Sequence, residues 1–305
     1  MKGGTNLEKV LASGMFAVTA EAGPPKGTSA AVMQRKAETL RNCCDAANVT
    51  DNQTAIVRMS SLAGCVLMKQ QGLDPVMQIV CRDRNRIAIQ SDVLGAVALG
   101  VGNILCLSGD HQMFGNHPTA KNVFDIDSIQ LIAALKTMRD EKKFLCGEDI
   151  SGEVPLFIGA AANPYADPFE FRVARLAKKV KAGAEFIQTQ AVYDLDKFAK
   201  WMEMAVDKGL DEKTHILAGV IPIKSAGMAR YMRDYVSGVT VPDAVVKRME
   251  QAEDAKTEGK KIAVEIIERL KEIPGIHGVH IMAVGWEDIV PEIVKQAGLL
   301  PRPVL

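Results

Sequence analysis

No stretch of this 305-residue chain approaches 18 uninterrupted apolar residues, so nothing in it reads as a membrane-spanning helix. Net charge is missing as well. Its 37 basic residues balance 37 acidic ones, and a nucleic-acid protein would usually carry a basic stripe. Cysteine is sparse: six residues, with no Cys-x-x-Cys and no histidine at ligand spacing, which leaves no zinc or iron–sulfur motif. Most of the six lie inside apolar stretches, and Cys43–Cys44 falls late in a predicted helix, where thiols pack as small hydrophobes. Neither G-x-G-x-x-G nor G-x-x-x-x-G-K-[ST] occurs, so Rossmann and Walker phosphate cradles are unsupported. The first ten residues include Lys2, Glu8 and Lys9 and lack a signal-peptide core, so the expected location is cytoplasmic. No Ser/Pro linker or low-complexity tract divides the chain, and residues 1–305 are expected to form one domain.

What is present is repetition. Eight times a short run rich in Val, Ile or Leu leads into an amphipathic stretch. The runs are Met15–Ala22, Ala46–Asp51, Pro75–Asp83, Asn103–Asp110, Leu156–Pro164, Glu185–Asp194, His215–Lys224 and Gly278–Gly285. Helical patterns such as Ser128–Lys143, Pro168–Gly183 and Ile262–Glu272 lie between them. Strands alternating with helices imply parallel pairing and right-handed crossovers. Eight such units in 305 residues predict an α/β fold, a closed (β/α)8 TIM barrel. The polar tract from Val241 to Lys261, entered through Thr240-Val241-Pro242-Asp243, predicts an extra helix between strands 7 and 8. It either caps one side of the mouth or is a solvated, charge-laced face.

Such barrels place their chemistry at the C-terminal ends of the strands. Here those ends carry Glu21, Thr50, Gln78, Asp110, Asn163, Gln190, Lys224 and His280. Glu21 closes an apolar strand just before Ala22-Gly23-Pro24-Pro25, where partial burial would raise its pKa and suit a general acid. The alternative is a loop carboxylate paired with Lys26. Ser108-Gly109-Asp110 ends another strand, with glycine permitting close approach of a ligand and the Asp projecting into the mouth. An ordinary turn Asp is the bland alternative. Gln188 and Gln190 share strand parity, with Thr189 opposite, and inward amides suit a heterocycle with donors and acceptors. Buried, internally satisfied amides are the other reading. Gly159-Ala160-Ala161-Ala162 and Gly219-Val220-Ile221 leave room for a flat ligand, and Lys178 and Lys179 could reach a phosphate or simply be solvated.

These residues carry a resemblance. Thr19-Ala20-Glu21-Ala22-Gly23-Pro24-Pro25 is similar to the [ST]-x-E-x-x-P-P signature of methylenetetrahydrofolate reductases. Leu107-Ser108-Gly109-Asp110 resembles that family's L-R-G-D, residues 181–190 its D-A-G-A-x-x-x-x-T-Q, and residues 219–223 its G-I-x-P-[VI]. The four motifs keep the family's order over nearly the whole chain, most like the short bacterial form and the enzymes of acetogenic bacteria. The resemblance implies a flavin, FAD or FMN, on the barrel mouth. It also implies hydride transfer from flavin N5 to 5,10-methylenetetrahydrofolate, giving 5-methyltetrahydrofolate. Carried over by motif, Glu21 is the catalytic acid, and Asp110 holds the pterin and tunes the flavin. Gln190 binds the pterin, and Thr50, Gln78, Ser108 and Lys179 contact the flavin.

The departures from the pattern carry expectations of their own. Ser108 stands for the family's arginine, Gln78 for a flavin-contacting histidine, and Arg172 for an aspartate on the helix after strand five. They fall where the flavin's tail would lie, so a differently bound tail is expected, which leaves FMN open beside FAD. Lys224-Ser225-Ala226-Gly227-Met228 lacks the phenylalanine by which NADH-using bacterial members hold the nicotinamide. Electrons are therefore expected from a partner subunit. Two other readings remain at this stage: a pterin-dependent methyltransferase-type barrel without flavin, and a non-catalytic electron-relay subunit.

Overall fold

The computed structural model describes every residue except Ser237. Eight strands alternate with helices. They are β1 (Ala17–Ala22), β2 (Ala46–Val49), β3 (Pro75–Val80), β4 (Asn103–Leu107), β5 (Phe157–Ala162), β6 (Phe186–Ala191), β7 (His215–Val220) and β8 (Ile276–Ile281). All neighbours pair in parallel, and β1 closes on β8 with Thr19 opposite His280, so the predicted TIM barrel is the observed one. The helices are α1 (Asn6–Ala12), α2 (Ala30–Leu40), α3 (Ser61–Gln70), α4 (Arg86–Ala98), α5 (Ser128–Asp140) and α6 (Phe169–Ala182). They continue with α7 (Leu195–Val206), α8 (Ala226–Tyr235), α9 (Asp243–Gln251), α10 (Ala255–Lys271) and α11 (Val290–Gln296). None of the described helices is long and apolar enough to cross a membrane.

Local chemistry sets the helix ends. Asp127 and Gln130 form a capping box at the start of α5, and the Asn85 side chain accepts from the Ile87 and Ala88 amides to start α4. Helix α6 runs from Pro168 at its N-cap to Gly183, whose φ of 122° ends it as the sequence predicts. Helix α2 stops at Leu40, so buried Cys43 and Cys44 lie in the turn beyond it, not within the helix as expected. The polar tract after β7 forms two helices, α9 and the first turns of α10, split at Ala252, and α10 itself is the return crossover. Arg248 pairs there with Glu258 and Glu265, and none of these residues reaches the barrel mouth, so the solvated reading holds over the cap.

The barrel interior changes character along its axis. At the N-terminal end, Ala17, Ala46, Val76, Leu105, Phe157, Phe186 and Leu217 pack against Leu7, Val10 and Leu11 of α1. Phe157 and Phe186 stack with centroids 5.0 Å apart, over Gly159, where any Cβ would come within 2.1 Å of the Phe186 ring. Two residues further along four of these strands the same inward face becomes polar: Thr19 after Ala17, Asn48 after Ala46, Gln78 after Val76, Gln188 after Phe186. Helix α1 therefore seals one end, and the strand tops hold the polar groups at the other.

Candidate active site

A cavity of about 310 Å³ opens at the C-terminal ends of the strands. Its walls include Glu21, Gln78, Ser108, Asp110, Gln190 and His280, which sequence parity and motif had nominated. A cleft of about 360 Å³ at the other end is lined by Gly3, Gly4, Asp74 and Gly100. It lies on the face that in such barrels serves stability, so the chemistry is sought at the mouth.

The floor of the mouth is a satisfied polar network. Asn48 Nδ2 donates to Gln188 Oε1 at 2.6 Å, and Gln188 Nε2 donates to Asn48 Oδ1 and to Thr19 Oγ1, each at 3.1 Å. Thr19 Oγ1 in turn lies 3.0 Å from His280 Nδ1. Burial drives the His280 pKa down to about 3, so its imidazole is neutral at physiological pH. Gln188 is thus the internally bonded amide of the pair. The amides of Gln78 and Gln190 have no protein hydrogen-bond partner among the described residues and face the cavity. Thr189 also reaches the wall, against the expected strict alternation, because β6 bulges between Gln188 and Ala191.

Above this floor stands Glu21, half-buried at the end of β1. It is not paired with Lys26. Its Oε1 accepts from Gln53 Nε2 at 3.1 Å, and Lys36 Nζ ion-pairs with Glu287 at 2.5 Å beside it. Burial raises the Glu21 pKa to about 7; the Gln53 hydrogen bond opposes that rise, Glu287 adds to it and Lys36 subtracts. Across the cavity, Asp110 is exposed at the rim with its backbone carbonyl held by Arg82 Nη1 at 3.0 Å. The buried Arg82 guanidinium also binds Asp83 and the Asn52 carbonyl, tying together the loops after β2, β3 and β4. Ser108 Oγ is 3.2 Å from Ser128 Oγ.

Two predicted site residues stand off this cavity. Thr50 is fully buried behind it, its hydroxyl without a partner among the described residues. Lys179 lines an adjoining pocket of about 150 Å³ with Asn163, Arg172 and Arg175, and that pocket shares Ala161 and Gln190 with the mouth. Burial, then the charge of Arg175, lowers the Lys179 pKa to about 8, and its Nζ donates to the Ala161 carbonyl at 2.5 Å. Lys224, the remaining rim residue, is committed to the carbonyls of Val284 and Gly285. Gln53 and Arg82 escape a sequence reading, because each acts on a group from another loop.

Fold and site together define a (β/α)8 barrel with a raised-pKa carboxyl at its mouth and, among the described residues, two amides there without a protein partner. The chain belongs to the methylenetetrahydrofolate reductase family, whose model matches residues 6–298. It is 25% identical over 256 residues to methylenetetrahydrofolate reductase 2 of Schizosaccharomyces pombe, covering 78% of this chain and 38% of that protein. The chain therefore spans little more than a third of the length of that relative. It is 20% identical over 239 residues to 5,10-methylenetetrahydrofolate reductase of Salmonella typhimurium, covering 77% of this chain and 74% of that one. Among solved structures it is similar in fold to a Clostridium thermocellum protein that binds two copies of 5-methyl-5,6,7,8-tetrahydrofolic acid. That likeness has a TM-score of 0.65 at 14% identity, covering 96% of this chain and 98% of that one.

Proposed function

We propose that this protein is a flavin-dependent 5,10-methylenetetrahydrofolate reductase. The observation that carries the reading is Glu21, a carboxyl with a pKa of about 7 that shares one cavity with the unpaired amides of Gln78 and Gln190 and with Asp110. A pterin ring presents donors and acceptors along its edge, which such amides and a carboxylate match. A carboxyl that is half-protonated near neutral pH is poised to donate to a departing amine.

The residues fit a flavin. The Gln78 amide, the bare Gly109 and Ala161 wall, and the Arg172, Arg175 and Lys179 pocket offer a polar contact, room for a flat ring, and positive charge for a phosphate. Gln78, Ser108 and Lys179 would hold it, and the replacement of an aspartate by Arg172 favours a short, phosphate-ended tail, hence FMN over FAD. When bound, the flavin supplies the hydride that turns the methylene carbon into a methyl group. Asp110 and Gln190 would grip the pterin edge. Glu21 would give its proton to N10 of the folate as the bond from N10 to the methylene carbon breaks, leaving that carbon as an N5 iminium. The neutral His280–Thr19–Gln188 floor adds no charge of its own beneath Glu21.

The purified chain is expected to be yellow, or to become so with FMN or FAD, and its 450 nm band should bleach when methyltetrahydrofolate is added without oxygen. A chain that stays colourless with both flavins refutes the reading and favours a flavin-free pterin barrel. A yellow chain that does not bleach points to an electron-relay subunit.

The reading of the electron donor rests on the start of α8. Its entry, Lys224-Ser225-Ala226-Gly227-Met228, offers no aromatic ring to stack on a nicotinamide, so electrons would come from a partner subunit. NADH alone is expected to bleach the bound flavin slowly compared with methyltetrahydrofolate. Rapid stopped-flow bleaching by NADH would remove the need for a partner.

A further inference from the structure

We propose that Gln53 is a positioning residue for Glu21: its amide holds one carboxyl oxygen, leaves the proton on the other facing the substrate, and stabilises the carboxylate by that hydrogen bond once the proton has gone. The inference rests on the reductase reading of the site. It starts from geometry. Gln53 Nε2 donates to Glu21 Oε1 at 3.1 Å, and Gln53 is the carboxyl's hydrogen-bond partner among the described residues. A donor fixed on Oε1 leaves Oε2 as the oxygen that carries the acid proton.

The turn that delivers Gln53 is built against backbone preference. Asn52, Thr54 and Ala55 have φ of 44°, 54° and 57°, the left-handed region that side chains with a Cβ avoid, and Thr54 is β-branched. Such strain persists only where surrounding structure imposes it, and it clusters at functional sites. Here the imposing contacts come from outside the turn. Arg82 Nη2 donates to the Asn52 carbonyl at 3.2 Å, and the Arg58 amide donates to Asn52 Oδ1 at 3.0 Å. Gly115, on the loop after β4, lies so close that a Cβ there would stand 1.8 Å from the Ala55 carbonyl oxygen. A loop from one strand end thus clamps a turn from another, and the side chain held in place reaches the acid.

The other charged groups facing this corner are accounted for. Lys36 of α2 and Glu287 after β8 form an ion pair beside Glu21, and His280 of β8 is kept neutral by burial. Asp51 is neutralised by Arg84, and Asp110 and Arg82 line the opposite wall. Gln53 is the neutral donor among them, so its removal should act on Glu21 without introducing a charge.

The test is a titration of the full chain carrying glutamate labelled with carbon-13 at the side-chain carboxyl. The Glu21 resonance is identified by its loss in Glu21→Gln. Replacing Gln53 by Met keeps the length and removes the donor, and the Glu21 midpoint should rise by about one pH unit, the size expected for losing one hydrogen bond to a carboxylate. Gly115→Ala, which pushes the turn away with Gln53 intact, should move it in the same direction and serves if Gln53→Met does not fold. The alkaline limb of flavin reoxidation by methylenetetrahydrofolate should shift with it. An unmoved midpoint in the folded variants, or a moved midpoint with an unmoved rate limb, overturns the proposal. The titration needs neither flavin nor folate, so failure of the reductase reading would appear separately, as a chain that binds no flavin.

Discussion

Glu21→Gln is expected to lower folate turnover by about 10²–10⁴-fold while leaving flavin binding and flavin reduction in place, the range a positioned general acid contributes. The amide keeps the shape of the carboxyl, so the cavity walls need not move. It cannot give a proton to N10, and ring opening then depends on water. The pH profile of the wild type carries the same signature. With a pKa of about 7, the acid form is lost above neutrality, and turnover should fall about tenfold per unit there, while the residual activity of Glu21→Gln should be flat across that range. Near wild-type turnover in Glu21→Gln would remove the acid role.

The same variant has a stability consequence with a definite sign. The Glu21 pKa is about 7 in the fold against an ordinary value of 4.5, so the unfolded chain loses its proton first as pH rises. Wild-type stability is whole below about 4.5, falls through the window from there to 7, and carries the full penalty above it. A shift of this size converts to about 3 kcal/mol, and water at the half-exposed rim reduces that to about 1–2 kcal/mol. Glu21→Gln should therefore melt higher than wild type at pH 8, with the advantage gone at pH 4. Parallel melting curves of the two proteins against pH decide the matter.

Arg302→Met is expected to cost about 3–5 kcal/mol, the usual result of removing one member of a buried ion pair. Arg302 comes from the last residues of the chain and reaches back to the start of the barrel. Its Nη2 donates to Asp45 Oδ2 at 2.5 Å and to the Phe16 carbonyl at 2.8 Å, and its Nε donates to Asp45 Oδ1 at 3.0 Å. The Asp45 side chain is fully buried and also accepts from the Val18 amide at 2.7 Å, which ties β1 to the residue before β2. Without the guanidinium, a carboxylate remains in the core with one amide to satisfy it. A loss of that size corresponds to a Tm drop on the order of 10 °C in a domain this large. The double variant Asp45→Asn with Arg302→Met should recover most of the loss, because the orphaned charge goes with it. A drop below about 1 kcal/mol in Arg302→Met would mean that water reaches Asp45.

Much of this protein is legible in the order of its residues, for a physical reason. Strand parity and helix periodicity are local properties of the backbone. Ala17-Val18-Thr19-Ala20-Glu21 already says which side chains face inward and that polarity rises toward the strand's end, and the same holds for Ala46 to Asn48 and Phe186 to Gln190. Hence the barrel, the polar mouth, and Glu21, Gln78, Ser108, Asp110 and Gln190 around it could be read without coordinates. Alternation breaks at the β6 bulge, where an extra residue brings Thr189 to the same wall. Closure of the barrel decided the rest. Only it sets Gln53 against Glu21, 32 residues away, where the hydrogen bond opposes the raised pKa, and Lys36 against Glu287, 251 residues away, whose charges shift that pKa in opposite directions. It also withdraws Thr50 behind the wall, moves Lys179 into a neighbouring pocket, and brings Arg302 to Asp45. Periodicity tells each residue which way to face; only the closed sheet tells it what it will meet.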